Sequence, residues 1–254
     1  MSKEFKIVIP VRYDSTRFPG KAMADIGGKP MVQLVYECAK KTEASEVIIA
    51  TDTTIIGMAA ENFGATVCMT DSEHQSGTDR IAEVVEKMKW EDDVAVVNLQ
   101  GDEPLMPAAV INQVAFNLMN NEAADCATLF ANIDNYNDIE DPNVVKVVND
   151  KNGMALYFSR SVIPHRRDKG DAQESIIYKR HIGLYAYRVG MLRAYRDMEA
   201  CSLESAEKLE QLRLLFNGMK IHIDQAIELP GHGVDTPEDL EKVKALIAAS
   251  EVDL

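Results

Sequence analysis

Apolar runs alternate with amphipathic stretches through the first half of this 254-residue chain. The apolar runs are near-continuous in Val, Ile and Ala and predict strands, at 5–10, 46–51, 65–69 and 93–99. The amphipathic stretches predict helices, at about 30–43, 53–63, 78–90 and 107–121. Strands of this kind are typical of a parallel sheet that helices cover on both faces. The first half therefore predicts a doubly wound α/β sheet.

The pattern changes after about residue 124. Strand-like runs become dense and few helical stretches separate them, at 124–133, 144–148, 155–158 and 182–187. This density predicts an antiparallel or mixed extension of the sheet. A polar segment of mixed charge, 161–180, is expected to be a long loop. Two further helices are predicted, one at about 203–217 with Ser202 as cap and Gly218 as stop, and one from 235–240 to the end.

Composition and charge narrow the class of protein. The chain has 27 basic and 41 acidic residues, a net charge of −14, which argues against nucleic acid or anionic lipid as partners. An anionic small molecule is still compatible with a locally basic site. The longest apolar runs have strand length, so no membrane insertion is expected. The N-terminus lacks a secretory signal, and four scattered cysteines suit a reducing compartment, so we expect a cytoplasmic protein.

A basic loop follows the first predicted strand. It carries Arg12, Ser15, Thr16, Arg17 and Lys21, and it stands out in an acidic chain. Donors at the carboxyl end of a strand in an open α/β sheet make a site for a polyphosphate. The alternative is an ordinary solvated loop with scattered Arg and Lys.

Two carboxylates are candidates for a metal site. Asp102, in the segment 100–104, follows a predicted strand and should lie at the carboxyl edge of the sheet. A carboxylate there can bind a Mg²⁺ ion that bridges substrate phosphates. The alternative is structural, because Gly-Asp-Glu-Pro is also a good turn and helix start. Asp235 precedes the last helix, and the local sequence favours a role as its N-cap. A second carboxylate beside Asp102 would complete a magnesium site.

Other polar groups precede or lie on predicted helices. Ser76, Gly77 and Thr78, with Arg80, could read a base edge or ribose, or could simply cap the helix that follows. Glu207, Glu210 and Gln211 share one helix face, which normally meets solvent but can also bind sugar hydroxyls. His181 is a lone histidine and by default a hydrogen-bonded structural residue, since no His-x-x-x-His spacing exists.

These segments together resemble the 3-deoxy-manno-octulosonate (Kdo) cytidylyltransferases, also called CMP-Kdo synthetases. The resemblance covers nearly the whole chain in order and spacing. It is carried by the motifs at 10–21, 28–31, 50–52, 74–80, 98–104, 142–148, 155–160, 180–183, 209–213 and 234–239. Val11 departs from the pattern, because a small residue is usual beside the nucleotide loop.

The resemblance implies a nucleotide-diphospho-sugar transferase-like fold and a Mg²⁺-dependent reaction of CTP with Kdo, giving CMP-Kdo and pyrophosphate for lipopolysaccharide synthesis. It implies that Lys21, Asp102 and Asp235 are catalytic, and that the two aspartates hold Mg²⁺. The nucleotide-binding residues would be Arg12, Ser15, Lys21, Ser76, Gly77 and Arg80. The sugar-binding residues would be Gln100, Arg160, His181, Tyr185, Glu210 and Gln211.

The resemblance also implies an organisation. Residues 1–254 are expected to form one nucleotidyltransferase domain, with a nucleotide-binding core at 1–123 and a sugar-binding and dimerisation elaboration at 124–230. Residues 231–254 would add the metal-site aspartate and the C-terminal helix. A homodimer is expected through the second half. Two alternatives stay open: cytidylyl transfer to a related acidic sugar, such as 8-amino-Kdo or a sialic acid, and a non-catalytic nucleotide-binding scaffold.

Overall fold

The computed structural model describes residues 4–13, 18–74, 76–167 and 177–252. Ser15 and its neighbours Thr16 and Arg17 lie outside the described residues, as does part of the predicted 161–180 loop. The strands are β1 (Phe5–Val11), β2 (Asp25–Ile26), β3 (Lys29–Pro30), β4 (Glu46–Thr51), β5 (Thr66–Met69), β6 (Ala95–Asn98), β7 (Cys126–Asn132), β8 (Lys146–Asn149), β9 (Ala155–Ser159), β10 (Lys179–Arg188) and β11 (Ile221–Gln225).

The helices alternate with the strands in the first half. They are α1 (Met31–Lys40), α2 (Thr54–Asn62), α3 (Gly77–Met88), α4 (Ala108–Met119), α5 (Tyr136–Glu140), α6 (Val189–Tyr195), α7 (Ser202–Glu207), α8 (Gln211–Phe216) and α9 (Pro237–Val252), with a 3₁₀ turn at Lys21–Met23. The four strands and four helices predicted for the first half are confirmed to within a few residues. No helix of the described residues has the length and apolar character needed to cross a bilayer.

One large sheet joins both halves of the chain. Its main path, within the described residues, is β11-β7-β10-β6-β1-β4-β5. The pairs β6-β1, β1-β4, β4-β5 and β7-β11 are parallel, whereas β10 runs antiparallel to both β6 and β7. β8 and β9 form an antiparallel pair beside β10. The predicted mostly parallel sheet with a mixed extension is therefore confirmed.

Helices cover both faces of the sheet. Alternate residues of β1 point to opposite faces, so Ile7 and Ile9 pack with α1, α2 and α4, whereas Val8 packs with α3, α6 and α8. All three β1 side chains are fully buried. This two-sided burial explains why the central strands show no polar alternation.

Three features of the second half differ from prediction. The helix predicted at 203–217 is two helices, because the backbone at Lys208 adopts a left-handed conformation (φ 53°) that ends α7. Its N-cap is Cys201, whose sulfur accepts from the amide of Glu204, so the predicted Ser202 cap is wrong. Helices α5 and α6 and strand β11 were not predicted. Gly218, at φ 79°, lies where the predicted stop was.

The carboxyl edge of the parallel strands collects the candidate residues. β1 ends at Val11 and β6 at Asn98, and the next residues of each strand begin the basic loop and the Gln100–Asp102 turn. Tyr185 of β10 pairs with Asn98, and β10 is antiparallel to β6. Its first residues, from Lys179 to Leu184, therefore extend beyond the end of β6 on the same edge.

Candidate active site

Lys21 lies at the centre of the site, paired with both predicted metal ligands. Its Nζ is 2.5 Å from Oδ2 of Asp102 and 3.4 Å from Oδ1 of Asp235. The same nitrogen donates to the carbonyl oxygen of Val234 at 3.1 Å. Three segments that are distant in sequence therefore meet at one ammonium group.

The loops that carry the two aspartates are held together by backbone contacts. The amide of Val234 donates to the carbonyl of Asp102 at 2.8 Å. Gly233 lies against Glu103: a Cβ at residue 233 would come within 2.9 Å of Oε1 of Glu103. A side chain at residue 233 would therefore force the Glu103 carboxylate to move, and the Val234 bond holds the Asp235 loop beside Asp102.

Asp235 is not the N-cap of α9. Thr236 takes that role, because its Oγ1 accepts from the amide of Asp239 at 3.2 Å. The Asp239 carboxylate in turn accepts from the amide of Thr236 at 3.1 Å, which completes a reciprocal capping pair. The local interpretation of Asp235 as the cap is therefore wrong, and its carboxylate faces Lys21 instead.

The pair of carboxylates fits a magnesium site. Mg²⁺ is usually bound in proteins by one or two carboxylates, with substrate phosphates and water completing its octahedron. Asp102 and Asp235 supply two carboxylates around one ammonium group, and their side chains are 30% and 49% exposed. A substrate phosphate can therefore reach both of them. Among the described residues there is no group of three His, Cys, Asp or Glu side chains that would hold a metal without such help.

Glu103 is a member of the site that the sequence did not single out. Burial raises the pKa of its carboxyl group to about 7, and the negative charges of Asp102 and Asp235 act in the same direction, against the opposite effect of Lys21. Asp102, Glu103 and Asp235 thus form one electrostatically coupled acidic group. The position of Glu103 next to Asp102 was a signal in the sequence. Only the fold shows that Asp235 lies beside these two residues.

A cleft of about 300 Å³ opens in front of this cluster, and we call it the nucleotide cleft. Its lining includes most of the residues predicted to bind nucleotide and metal. They are Arg12, Lys21, Ser76, Gly77, Arg80, Gln100, Asp102 and Asp235. Gly77 allows close packing in this wall, because a Cβ there would lie 3.3 Å from the ring of Pro10. Gly101 likewise accommodates Val11, which would lie 2.7 Å from a Cβ at residue 101.

Two of the predicted nucleotide contacts also have structural roles. Ser76 caps α3, since its Oγ accepts from the amide of Asp79 at 3.1 Å. Arg80 is 3% exposed, and its guanidinium donates to Asp52 at 2.7 Å and also to Thr70. Arg80 therefore braces the wall of the nucleotide cleft from behind. Arg12, by contrast, is exposed at the mouth of the cleft.

A second cleft, of about 290 Å³, holds most of the predicted sugar residues, and we call it the sugar pocket. Gln100 lines both clefts and so lies between them. The sugar pocket is lined by Thr78, Asn98, Gln100, His181, Gly183, Tyr185, Tyr187, Tyr195, Lys208, Leu209, Glu210, Gln211 and Leu214. Five of the six predicted sugar residues are therefore brought together. A third, adjoining cleft of about 260 Å³ shares Gln100 and His181 and is also lined by Glu103 and Arg180.

His181 contributes a neutral imidazole to the sugar pocket. Its ring packs against Phe158 and Tyr185, with centroids 4.9 and 5.3 Å away. This burial lowers the pKa of His181 to about 3. Its Nε2 lies 3.0 Å from Oγ1 of Thr128, so the ring is oriented by a hydroxyl. His181 can therefore offer a hydrogen bond to a sugar but no positive charge at neutral pH.

Glu210 connects the two clefts. It follows the break between α7 and α8, and its Oε2 accepts from Oγ1 of Thr78 at 3.2 Å. Thr78 lies in the first turn of α3, beside Ser76 and Gly77. Desolvation raises the pKa of Glu210, against the opposing effect of the Thr78 hydrogen bond. A hydrogen bond between α3 and the start of α8 thus couples the sugar pocket to the nucleotide cleft.

Arg160 is the predicted sugar residue that lies apart from the others. It does not line any of the three clefts. Its Nε donates to the carbonyl of Glu207 at 2.7 Å and its Nη1 to the carbonyl of Pro142 at 3.0 Å. The amide of Arg160 also donates to the Glu207 carboxylate at 2.9 Å. These bonds hold the end of β9 against α7.

Similarity to known proteins identifies the family of this chain. Residues 6–221 match the family model of the cytidylyltransferases. The chain is 55% identical, over 96% of its length and 99% of the relative's, to the 3-deoxy-manno-octulosonate cytidylyltransferase of Photobacterium profundum. It is 50% identical to the enzyme of that name from Haemophilus influenzae (strain 86-028NP), over 97% of this chain and 99% of the relative. The chain therefore belongs to the 3-deoxy-manno-octulosonate cytidylyltransferase family.

Solved structures agree with this assignment. The structure of CMP:2-keto-3-deoxy-manno-octonic acid synthetase complexed with CTP superposes with a TM-score of 0.90 and 42% identity, over 97% of this chain and 99% of that one. A 4-diphosphocytidyl-2C-methyl-D-erythritol synthase superposes with a TM-score of 0.63 at 12% identity, over 97% of this chain and 100% of that one. The second likeness concerns the fold alone.

Proposed function

We propose that this protein transfers the cytidylyl group of CTP to the anomeric hydroxyl of Kdo, giving CMP-Kdo and pyrophosphate for lipopolysaccharide synthesis. The observation that carries the proposal is the contact of Lys21 with both Asp102 and Asp235, at the junction of the nucleotide cleft and the Asp102 turn. The family membership and the neighbouring sugar pocket support the choice of substrates.

The main requirement of this reaction is that the negative charge on the phosphates is neutralised. The sugar hydroxyl gives its proton to water as its oxygen forms a bond to the α-phosphorus. The bond from that phosphorus to the bridging oxygen breaks, and pyrophosphate leaves with the electron pair. Phosphoryl-type transfer depends on positioning and charge neutralisation more than on covalent catalysis. Lys21 and Arg12 line the cleft with positive charge that the α-phosphate and the leaving pyrophosphate need. We assign no nucleophile to the protein.

Asp102 and Asp235 are the residues we propose as Mg²⁺ ligands. When bound, the metal would supply charge neutralisation at the phosphate oxygens. Before binding, Lys21 balances the two carboxylates at 2.5 and 3.4 Å. Asp102 and Asp235 would hold the metal, and the Lys21 ammonium would donate to a CTP phosphate.

Positioning of the sugar is the task of the sugar pocket. Gln100, Glu210 and Gln211 present amide and carboxylate groups that suit sugar hydroxyls, and His181 adds a neutral ring nitrogen. Gln100 also lines the nucleotide cleft, with its Nε2 donating to Asn98 at 3.0 Å. Holding two reactants in one fixed geometry can supply a large part of the acceleration.

A homodimer is part of the proposal. Large apolar side chains are exposed on the second half of the chain, including Tyr136 (71%), Leu156 (61%) and Ile177 (61%). An interface that covers these side chains would remove them from water. Light scattering during gel filtration tests it: a dimeric mass is expected, and a monomeric mass at micromolar concentration would contradict it.

A pyrophosphate-release assay tests the reaction. It crosses CTP, UTP, ATP and GTP with Kdo, 8-amino-Kdo and a sialic acid, at several Mg²⁺ concentrations and with a chelator. We expect CTP with Kdo to react fastest and the chelator to abolish turnover. Equal release with purine triphosphates would overturn cytidylyl transfer, whereas faster reaction of 8-amino-Kdo would change only the sugar. No release with any pair would favour a non-catalytic protein.

A further inference from the structure

The sugar pocket has one basic residue among its described lining. Its other members are neutral or acidic, and His181 is uncharged at neutral pH because burial lowers its pKa to about 3. Lys208 is the one lysine or arginine that lines it in the described part of the chain. A sugar acid such as Kdo brings a carboxylate, and a carboxylate that leaves water needs an ionic or hydrogen-bonding partner. This inference rests on the proposed function, because it names the group that recognises the sugar.

The predicted partner of that carboxylate is already engaged elsewhere. Arg160 donates to the backbone carbonyls of Glu207 and Pro142 and lies outside the three clefts. To reach a sugar in the pocket it would have to give up these hydrogen bonds. Lys208 needs no such rearrangement, since no carboxylate of the described residues forms an ion pair with it.

The backbone places Lys208 at the pocket. Its φ of 53° ends α7, and its amide closes the last turn by donating to the carbonyl of Glu204 at 2.7 Å. If the helix were unbroken, residue 208 would continue along the axis of α7. The break instead turns the chain so that Lys208, Glu210 and Gln211 all line one pocket. A lysine is less stable than a glycine in this left-handed conformation, so backbone stability does not explain the residue at this position.

We propose that Lys208 is a specificity-determining residue that binds the carboxylate of the sugar acid. The ammonium group provides a donor of flexible reach and one positive charge. Glu210 and Gln211 bind hydroxyls on the same sugar. The pocket therefore selects sugars that carry a carboxylate over neutral sugars of the same size.

Lys208→Asn tests this proposal, with Lys89→Asn as the matched control. Lys89 also has φ 53° and ends a helix, α3, and it is exposed and outside the three clefts. Asparagine tolerates the left-handed conformation, so both variants lose one charge with little backbone strain. We expect Lys208→Asn to raise the KM for Kdo about tenfold and to leave the KM for CTP unchanged, the size of one charge-assisted hydrogen bond. Lys89→Asn should change neither constant, and Lys208→Arg should restore most of the affinity for Kdo.

A second measurement separates charge recognition from a structural role. The 2-deoxy analogue of Kdo lacks the reacting hydroxyl and serves as an inhibitor, used as the carboxylate and as the carboxamide. We expect wild type to bind the carboxylate about tenfold more tightly and Lys208→Asn to bind both forms equally. An unchanged preference in Lys208→Asn would overturn the role of Lys208 while wild type still produces CMP-Kdo. If wild type forms no CMP-Kdo from CTP and Kdo, the proposed function itself is wrong.

Discussion

The ammonium of Lys21 and the carboxylate of Asp102 lie 2.5 Å apart, although 81 residues separate them in the chain. Their side chains are only 17% and 30% exposed, so water screens the pair weakly. The ion pair holds the basic 3₁₀ turn against the carboxyl edge of the sheet. Lys21 therefore acts as the internal counterion of the acidic group in this structure.

Replacing Lys21 by Met should have opposite effects on metal binding and on turnover. Without the ammonium, Asp102 and Asp235 lose the charge that competes with a metal, so Mn²⁺ should bind more tightly to the nucleotide-free protein. Turnover should fall at least about 100-fold, because a donor to the transition-state phosphates is lost. Electron paramagnetic resonance of Mn²⁺ and pyrophosphate release measure the two effects.

Lys29→Met is the control for this prediction. Lys29 forms a comparable pair with Glu37 at 2.8 Å, but on the surface of α1. It should leave Mn²⁺ affinity and turnover near wild-type values. Near-normal turnover in Lys21→Met would show that Lys21 is only a structural counterion.

Asp102→Asn and Asp235→Asn should each abolish most turnover while the fold survives. Each change removes one of the two carboxylates that we propose as Mg²⁺ ligands, and loss of a catalytic metal ligand should cost several kcal/mol of transition-state stabilisation. Thr236→Ala gives the contrast, because Thr236 and not Asp235 caps α9. We expect it to lose about 1 kcal/mol of unfolding free energy and to keep its activity. Denaturant titration and pyrophosphate release distinguish the two outcomes, and an active Asp235→Asn at limiting Mg²⁺ would contradict the metal assignment.

The site shows where sequence patterns stop being informative. Strand ends predicted that Arg12 and Asp102 meet at one edge, since both follow buried strands of a parallel sheet. Asp235 could not be placed in this way, because its position before a Thr-Pro helix start favours an N-cap. The bond from the Val234 amide to the Asp102 carbonyl, which decides its position, leaves no trace in local sequence.

The break at Lys208 was invisible for a different reason. Left-handed helix ends usually carry Gly or Asn, and the apolar periodicity continues across residue 208 through Leu209 and Leu212. The hydrogen-bond partners of Arg160 could not be predicted from the sequence either. Its partners are backbone carbonyls of Pro142 and Glu207, and every residue has such a carbonyl.

His181 should show no titration between pH 5 and 8 in the folded protein. Burial lowers its pKa to about 3, below the ordinary value of 6.5, so the neutral ring persists across this range. Proton NMR of the ring, assigned with His181→Phe, should give a constant chemical shift. Denatured protein in urea should regain an inflection near about pH 6.5. Such an inflection in the native protein would show that the ring is hydrated and would allow a cationic role.

Glu103 should make the protein less stable as the pH rises through a defined window. Burial and the charges of Asp102 and Asp235 raise its pKa from 4.5 to about 7 in the folded state. Between these two values the folded protein binds more protons than the unfolded chain, so the free energy of unfolding falls with pH. Above about pH 7 the carboxylate is charged in both states and the penalty is complete. Glu103→Gln removes this penalty.

Chemical denaturation in EDTA, without nucleotide, measures the effect. Glu103→Gln and wild type should be equally stable at about pH 4, and the variant should be about 2 to 3 kcal/mol more stable at about pH 8. Glu122→Gln, at an exposed position, should follow wild type at every pH. A constant difference between Glu103→Gln and wild type across this range would mean that Glu103 is ionised throughout. In that case its carboxylate must be solvated or paired, and the acidic group around Lys21 would carry one more negative charge in mildly acidic solution than the structure assigns to it.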